Sequence, residues 1–277
     1  MSLLVDLHHY RSAQNTPCSV YLTELTAAVE LTVDGIDTHA VVRMLDNIIR
    51  TTDNQPFAAS DLTASDRDWL LAHLYQKYWS NRIVSTLECD QCAAPFDLSF
   101  ELSALVSSIY QSIPREKISG NARFMLAQHD VDDVIGAEEQ TDYANDHSRL
   151  ALNLPTFAHE QATVSVSLQQ ARNFLLQATR DDGESHNLAP ESLALLLEKV
   201  APIVDLELEA ACPECSKIHW AHFDLQSYCM KKIIGEKDNL LVEIHLIASH
   251  YGWSLAEIEQ LPRTVRQSMA NLIVASR

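Results

Sequence analysis

Glycine is scarce in this chain, six in 277 residues, which leaves little material for a loop that cradles phosphate. No Gly-x-Ser-x-Gly elbow, P-loop or dinucleotide fingerprint occurs. Basic residues are few as well: 20 against 38 acidic, for a net charge of -18. Attraction to nucleic acid or to an anionic membrane rests on clustered Lys and Arg. General binding to either is therefore disfavoured, and the balance fits a protein that meets basic partners or one with a merely solvated acidic surface. No apolar run reaches the roughly 18 residues that a membrane span needs, so no membrane association is expected. The opening MSLLVDLHHYRS lacks a basic segment followed by a long apolar one. A signal peptide is thus not expected, and the chain is placed in the cytoplasm. There, paired cysteines point to metal more than to disulfides.

What the sequence does contain is a pair of cysteine hairpins. One reads Ile83 to Phe100 (IVSTLECDQCAAPFDLSF) and the other Val204 to Leu225 (VDLELEAACPECSKIHWAHFDL). Each has an alternating run, then Cys-x-x-Cys, then a second alternating run through Phe-Asp-Leu. A tight turn carrying Cys-x-x-Cys aims both sulfurs at one point and supplies half a tetrahedral shell. Cys89 and Cys92 with Cys212 and Cys215 complete it, predicting one structural Zn2+ in a ribbon shared by both halves of the chain. More than a hundred residues separate the two knuckles, against the usual spacing of about 15–20. The likeness of the two hairpins argues for pairing nonetheless. The second is longer by four residues between Cys and Phe-Asp-Leu, an even number that keeps the same side chains inward. The alternative is a vestigial or disulfide-bonded pair of turns. Cys18 and Cys229 read as buried thiols.

The expected fold class is α+β: two helix–cysteine-hairpin–helix repeats, a small β-containing middle segment and a C-terminal helical module. Its segments are 1–114, 115–190 and 191–277. Residues 18–34 read as strand then helix, and Val41, Val42, Leu45, Ile48 and Ile49 mark an amphipathic helix. Ser65 with Asp68 suggests a helix start, with Leu70, Leu71, Leu74, Tyr75 and Tyr78 inward. A short helix is expected from Ala104 to Gln111. In the middle segment, 123–128, 150–154 and 162–168 look like strands, 168–178 like a helix, and DDGESHN like a connector. Asp130, Asp132, Asp133, Glu138, Glu139, Asp142 and Asp146 gather there without the spacing of a calcium loop, which favours a solvated face over a cation site. Pro190 opens a helix with Leu193, Leu196, Leu197 and Val200 inward.

In the C-terminal module, Leu240, Leu241, Ile244, Ile247, Ala248 and Tyr251 share a helix face that Gly252 ends. Ser254 and Glu257 form a capping box, and Pro262 starts a last helix carrying Val265, Met269, Leu272 and Ile273. These helices also resemble a helix-turn-helix. A zinc-containing DNA-binding regulator using Arg263 and Arg266 is therefore the alternative function.

The histidines invite catalysis but are poorly placed for it. His219 and His222 fall on opposite faces of a strand, so only one could join Cys215 at a metal. His245 and His250 do not share a helix face, and His8 and His9 lie in an expected frayed end. A four-sulfur zinc has no open position for water, so neither catalysis nor a small-molecule substrate is expected.

Two stretches carry a family likeness. Leu241 to Arg263 (LVEIHLIASHYGWSLAEIEQLPR) resembles the C-terminal signature of baseplate hub assembly proteins of contractile phage tails, which have relatives in phage-like contractile injection systems. Thr63 to Leu71 (TASDRDWLL), then Arg82-Ile83 and the first hairpin with Phe96-Asp97-Leu98, is similar to the front half of these T-even-type proteins. The two cover roughly a third of the chain, and the final helix has fewer basic and aromatic residues than the family pattern. The resemblance implies a non-enzymatic protein that works in assembling a baseplate or its hub, with baseplate or hub proteins as partners. The turn from Trp253 to Arg263 would then be a partner-binding edge using Trp253, Glu257, Arg263 and Arg266, Trp253 being an aromatic suited to anchor an interface. Alternatively Trp253 plugs the turn between two helices.

Overall fold

The structure, a computed structural model, describes residues 2–11, 17–111, 113, 122–126, 131, 133–134, 150–180 and 188–276. Strands β1 (Leu3–Arg11), β2 (Pro17–Leu22) and β3 (Ile49–Thr51) form an antiparallel sheet in that order. Between β2 and β3 lie helices α1 (Ala27–Thr32) and α2 (Thr38–Ile48). Asp37 caps α2 by accepting from the Ala40 N–H at 2.9 Å, and Val41, Val42, Leu45 and Ile48 face the core.

Helix α3 (Ala64–Tyr78) runs through the centre. Its cap is Thr63, whose hydroxyl accepts from the Asp66 N–H at 3.1 Å. The expected cap, Ser65, lies inside the first turn and is fully buried. A cap needs extended backbone, and Thr63 has it, at φ -69° and ψ 160°. Asp66 turns instead to β1, accepting from the backbone N–H of His8 at 2.7 Å and of His9 at 3.1 Å. Burial opposes its charge, but the His9 ring and the His8 N–H hold it below the usual carboxylate range. The end expected to fray is therefore a strand in the core. His9 is 0% exposed, and its Nε2–H donates to the Val200 carbonyl at 2.6 Å.

The first hairpin, β4 (Arg82–Glu88) and β5 (Pro95–Glu101), leads into α4 (Leu102–Gln111). A small sheet follows, β6 (Arg123–Leu126) antiparallel to β7 (Leu150–Asn153). Helices α5 (Phe157–Gln161), α6 (Leu168–Ala178) and α7 (Pro190–Val200) come next. The strand expected over 162–168 is instead a turn. Among the described residues its alternating valines have no partner strand, and Ser167 caps α6 in a box with Gln170. Val164 and Leu168 are consequently exposed. Of the acidic residues of the middle segment, Asp133 is described and exposed. Asp130, Asp132, Glu138, Glu139, Asp142, Asp146 and the 181–187 connector lie outside the described residues.

The second hairpin, β8 (Asp205–Ala211) and β9 (Ile218–Asp224), leads into α8 (Leu225–Gly235). Helices α9 (Lys237–Tyr251), α10 (Leu255–Glu259) and α11 (Arg263–Ala275) close the chain. The turns between them form as the sequence indicates, with Gly252 left-handed at φ 69° and the Ser254–Glu257 capping box in place. The buried faces are narrower than expected. Leu241 and Tyr251 are exposed, as are Val265 and Leu272, and α11 turns Arg266, Ala270 and Ile273 inward. These three recur at i, i+4 and i+7, one residue out of phase with Val265 and Leu272.

One core joins β1 through α4 to Val204, Phe223, Leu225, Cys229, Met230 and Ile233, so the second hairpin and α8 pack against the first hundred residues. A second cluster joins β6, β7 and α7, and a third joins Ala27 of α1 to the C-terminal helices. Cys229 is buried and Cys18 half-buried. Among the described residues no helix is long and apolar enough to cross a membrane.

Candidate metal centre

The two hairpins have the same backbone. Each is two strands of seven residues around a six-residue turn, 89–94 and 212–217. In the first, the Cys89 N–H donates to the Ala94 carbonyl at 3.0 Å and the Ala93 N–H to the Cys89 carbonyl at 2.8 Å. In the second, Cys212 donates to Lys217 at 2.8 Å and Ser216 to Cys212 at 2.9 Å. Ala93 and Ser216 occupy the left-handed region at φ 55° and 59°, a conformation uncommon outside glycine. The closing bonds also correspond: the Leu102 N–H donates to the Asn81 carbonyl and the Leu225 N–H to the Val204 carbonyl.

This register corrects the match drawn from the two Phe-Asp-Leu triplets. Counted from the cysteines, Phe223-Asp224-Leu225 corresponds to Phe100-Glu101-Leu102, and no four-residue insertion exists. Phe100 and Phe223 meet edge to face at 5.0 Å, and Leu102 and Leu225, both fully buried, each open the following helix. Phe96 corresponds to His219, and their rings lie 5.4 Å apart. The repeated Phe-Asp-Leu at 96–98 is thus a coincidence of composition: the structural counterpart of Glu101 is Asp224, whose carboxylate caps α8 by accepting from the Gln226 and Ser227 N–H groups at 3.1 Å each.

The inner faces of the hairpins bring the four cysteines together. Cys89 Sγ lies 3.5 Å from Cys215 Sγ, and Cys92 Sγ lies 3.7 Å from Cys212 Sγ. All four sulfurs are within 4.8 Å of one another and can hold a metal ion. A disulfide would require about 2.05 Å. Four sulfurs around one tetrahedral ion, each at about 2.3 Å, stand about 3.8 Å apart. The donor set therefore fits one ion bound across the hairpins. Leu87, Phe96, Leu98 and Ala210 pack around the sulfurs.

Crowding governs their ionisation. Burial opposes the Cys89 thiolate, but the Cys92 and Gln91 backbone N–H groups and the His219 ring hold its pKa down at about 6. At Cys92 the Ala94 N–H favours the thiolate, while burial and the neighbouring sulfurs push the pKa up to about 12. Against the Lys217 N–H, burial and the Cys89 and Cys212 sulfurs raise Cys215 as well. Four adjacent sulfurs do not all ionise unaided, and a central cation removes that repulsion.

His219 is the residue least visible beforehand. It faces inward beside Cys89 and Asp90, while His222 faces outward and pairs with Asp205 at 2.5 Å. Strand alternation separates the two histidines. Which one nears the sulfurs follows from counting residues from Cys215.

The four residues read as a partner-binding edge are scattered in role. Trp253 is 39% exposed and 5.8 Å from the Tyr251 ring. The Glu257 carboxylate accepts from the Ser254 N–H and hydroxyl at 2.8 and 2.7 Å. Arg263 and Arg266 are 4% and 1% exposed, which corrects their reading as surface groups. Arg263 bonds Glu30 and Glu236 and stacks on Trp79, with its guanidinium 4.8 Å from the ring. Arg266 bonds Glu30 at 2.5 Å and Glu243 at 2.7 Å. A buried guanidinium needs such partners, and Glu30, distant in sequence, supplies them from α1. Comparison with protein-family models, with curated proteins and with solved structures returns no match to this chain.

Proposed function

We propose that this chain is a non-enzymatic, zinc-stapled structural or assembly protein of a contractile-tail baseplate or hub. The observation that carries the zinc reading is the convergence of four sulfurs from two hairpins, in pairs 120 and 126 residues apart in the chain. Cys89, Cys92, Cys212 and Cys215 would hold Zn2+, with the two helix–hairpin–helix units as one ribbon. When bound, the ion supplies cross-linking, because four protein ligands leave no position for water or substrate. The tail assignment draws support from the likeness of 63–71 and 241–263 to hub assembly proteins. Trp253, beside Tyr251 and the exposed Leu255, is the group best suited to a partner contact in that stretch. The DNA-binding alternative is disfavoured, because Arg263 and Arg266 are buried and paired with Glu30, Glu236 and Glu243.

Two experiments test the two parts separately. Metal analysis of Cys89→Ser and Cys212→Ser should find stoichiometric zinc lost from both, and loss from only one would overturn the shared site. Co-expression with tail-tube, spike and sheath proteins from the same gene neighbourhood should yield a complex that Trp253→Ala weakens. Failure to recover any complex would remove the tail assignment and leave the zinc reading intact.

A further inference from the structure

Side chains of a two-stranded ribbon divide between two faces with period two. In the second hairpin Leu206, Leu208, Ala210 and Phe223 turn inward. The outer face is set by the register: Asp205 opposite Asp224, Glu207 opposite His222, Glu209 opposite Trp220, and Ala211 opposite Ile218. One strand of this face is a ladder of carboxylates, and the other carries an apolar end. Trp220 is 66% exposed and Ile218 49%, whereas Trp253 is 39% exposed and Trp69 and Trp79 are half-buried. The most exposed tryptophan of the chain therefore stands directly across from Glu209.

The charge around it is predominantly negative. Between 205 and 224 the acids Asp205, Glu207, Glu209, Glu214 and Asp224 face a single lysine, Lys217. Asp205 is engaged by His222, while Glu207 and Glu209 stand exposed. Alternate residues on a strand are about 7 Å apart, so an extended chain laid alongside presents its own alternate side chains at the same interval. A tryptophan face is the strongest aromatic partner for a cation, most often arginine. A second copy of this chain would bring the same carboxylate ladder and a net charge of -18, so like charge opposes self-association here.

We propose that the outer face of the second hairpin docks an extended basic segment of a partner protein, with arginine or lysine at alternate positions. One cation lies opposite Glu207 and the next, at the level that Glu209 and Trp220 share, pairs with the carboxylate and stacks on the ring, with Ile218 covering the adjoining apolar part of the segment. This surface is separate from the Trp253 turn and does not depend on the tail assignment.

The probe is a fluorescein-labelled eight-residue peptide of alternating arginine and serine. It is followed by anisotropy against the full chain at low and high salt, with two controls: the same peptide with glutamate for arginine, and a block isomer with all arginines first. The alternating peptide should bind in a salt-sensitive manner and more tightly than the block isomer, and the acidic peptide should not bind. Trp220→Ala should weaken binding about tenfold, and Glu207→Lys with Glu209→Lys should abolish it. An equal charge change elsewhere, Asp53→Lys with Asp61→Lys, should leave binding within twofold. Equal losses from the two charge-reversed pairs, or no effect of Trp220→Ala, would mean diffuse attraction to an acidic protein and overturn the proposal. In the unaltered chain the Trp220 indole N–H resonance should shift on peptide addition and that of Trp79 should not; a silent Trp220 overturns the proposal without any substitution. Metal content and thermal midpoint, read on every variant, distinguish failure here from failure of the zinc reading.

Discussion

The two cysteine hairpins share a backbone and differ in what they show to solvent. On the first, the outer face is satisfied from within: Arg82 donates to the Ser99 hydroxyl at 2.9 Å, and the Thr86 hydroxyl donates to Asp97 at 2.8 Å. On the second, the positions matching Arg82 and Ser99 carry Asp205 and His222, which also pair, but those matching Thr86 and Asp97 carry Glu209 and Trp220, which stand exposed, with Glu207 and Ile218 beside them. Their attachment to the body differs too. Asn81, at the foot of the first hairpin, is held by bonds to Glu101 and Ser103, whereas Val204, at the foot of the second, donates to the buried Asp68 at 2.8 Å. Identical registers thus impose a common inner face, where sulfur and aromatic packing are demanding, and leave the outer face free to diverge.

On the proposed zinc reading, the comparison is broken most forcefully by a chelator. Complete chelation should forfeit on the order of 10 kcal/mol of metal-binding free energy and loosen both turns together. Hydrogen exchange at the Cys89 and Cys212 amides reports this, and protection lost from one hairpin alone would mean that the turns are independent. Next, Phe223→Ala, in the main core at 7% exposure, should cost about 3–5 kcal/mol and the half-buried Phe100→Ala less. The double variant should reveal a coupling of about 0.5–1.5 kcal/mol, read by chemical denaturation. Additivity would show that the edge-to-face contact contributes nothing beyond burial.

A third prediction separates the hairpins by pH. Burial pushes Asp68 up to about 7, outweighing the Val204 N–H and the Arg67 charge, which favour its ionised form. The folded chain then holds that proton more tightly than the unfolded one. The resulting stability is full below the ordinary carboxylate value of 3.8 and is lost as pH rises through 7. Asp68→Asn should flatten this slope in denaturation curves recorded across the interval, and amide exchange should show the change at the foot of the second hairpin only. The smallest effects belong to the outer faces. Val84→Ala and Trp220→Ala, both exposed, should each alter stability by no more than about 0.5 kcal/mol. A larger loss at Trp220 in thermal melts would mean that its ring supports the fold and is not free to dock.

Local signals are legible wherever one residue type has one physical use. Pro190 at a helix start, Gly252 left-handed at a helix end and the Ser254–Glu257 box all stand where the residues indicate. The sequence is ambiguous where a pattern fits two structures. The Thr163–Ser167 alternation resembles a strand but lacks, among the described residues, a neighbour to pair with. Val265 and Leu272 are apolar yet face water, because the adjacent phase of the same helix carries the arginines that Glu30, Glu236 and Glu243 require. A guanidinium reads as a surface group until its counter-ions, more than 200 residues away in the case of Glu30, are seen to enclose it.

The amino-acid sequence by itself determined the two knuckles, the alternation that sends His219 and His222 to opposite faces, and most helix ends, because each depends on residues within one turn or strand. Tertiary structure alone decided which sulfurs meet, that Phe100 and not Phe96 is the counterpart of Phe223, and that Arg263 and Arg266 are internal. Those outcomes depend on packing between segments far apart in the chain, where burial and charge pairing choose among arrangements that local pattern leaves equal.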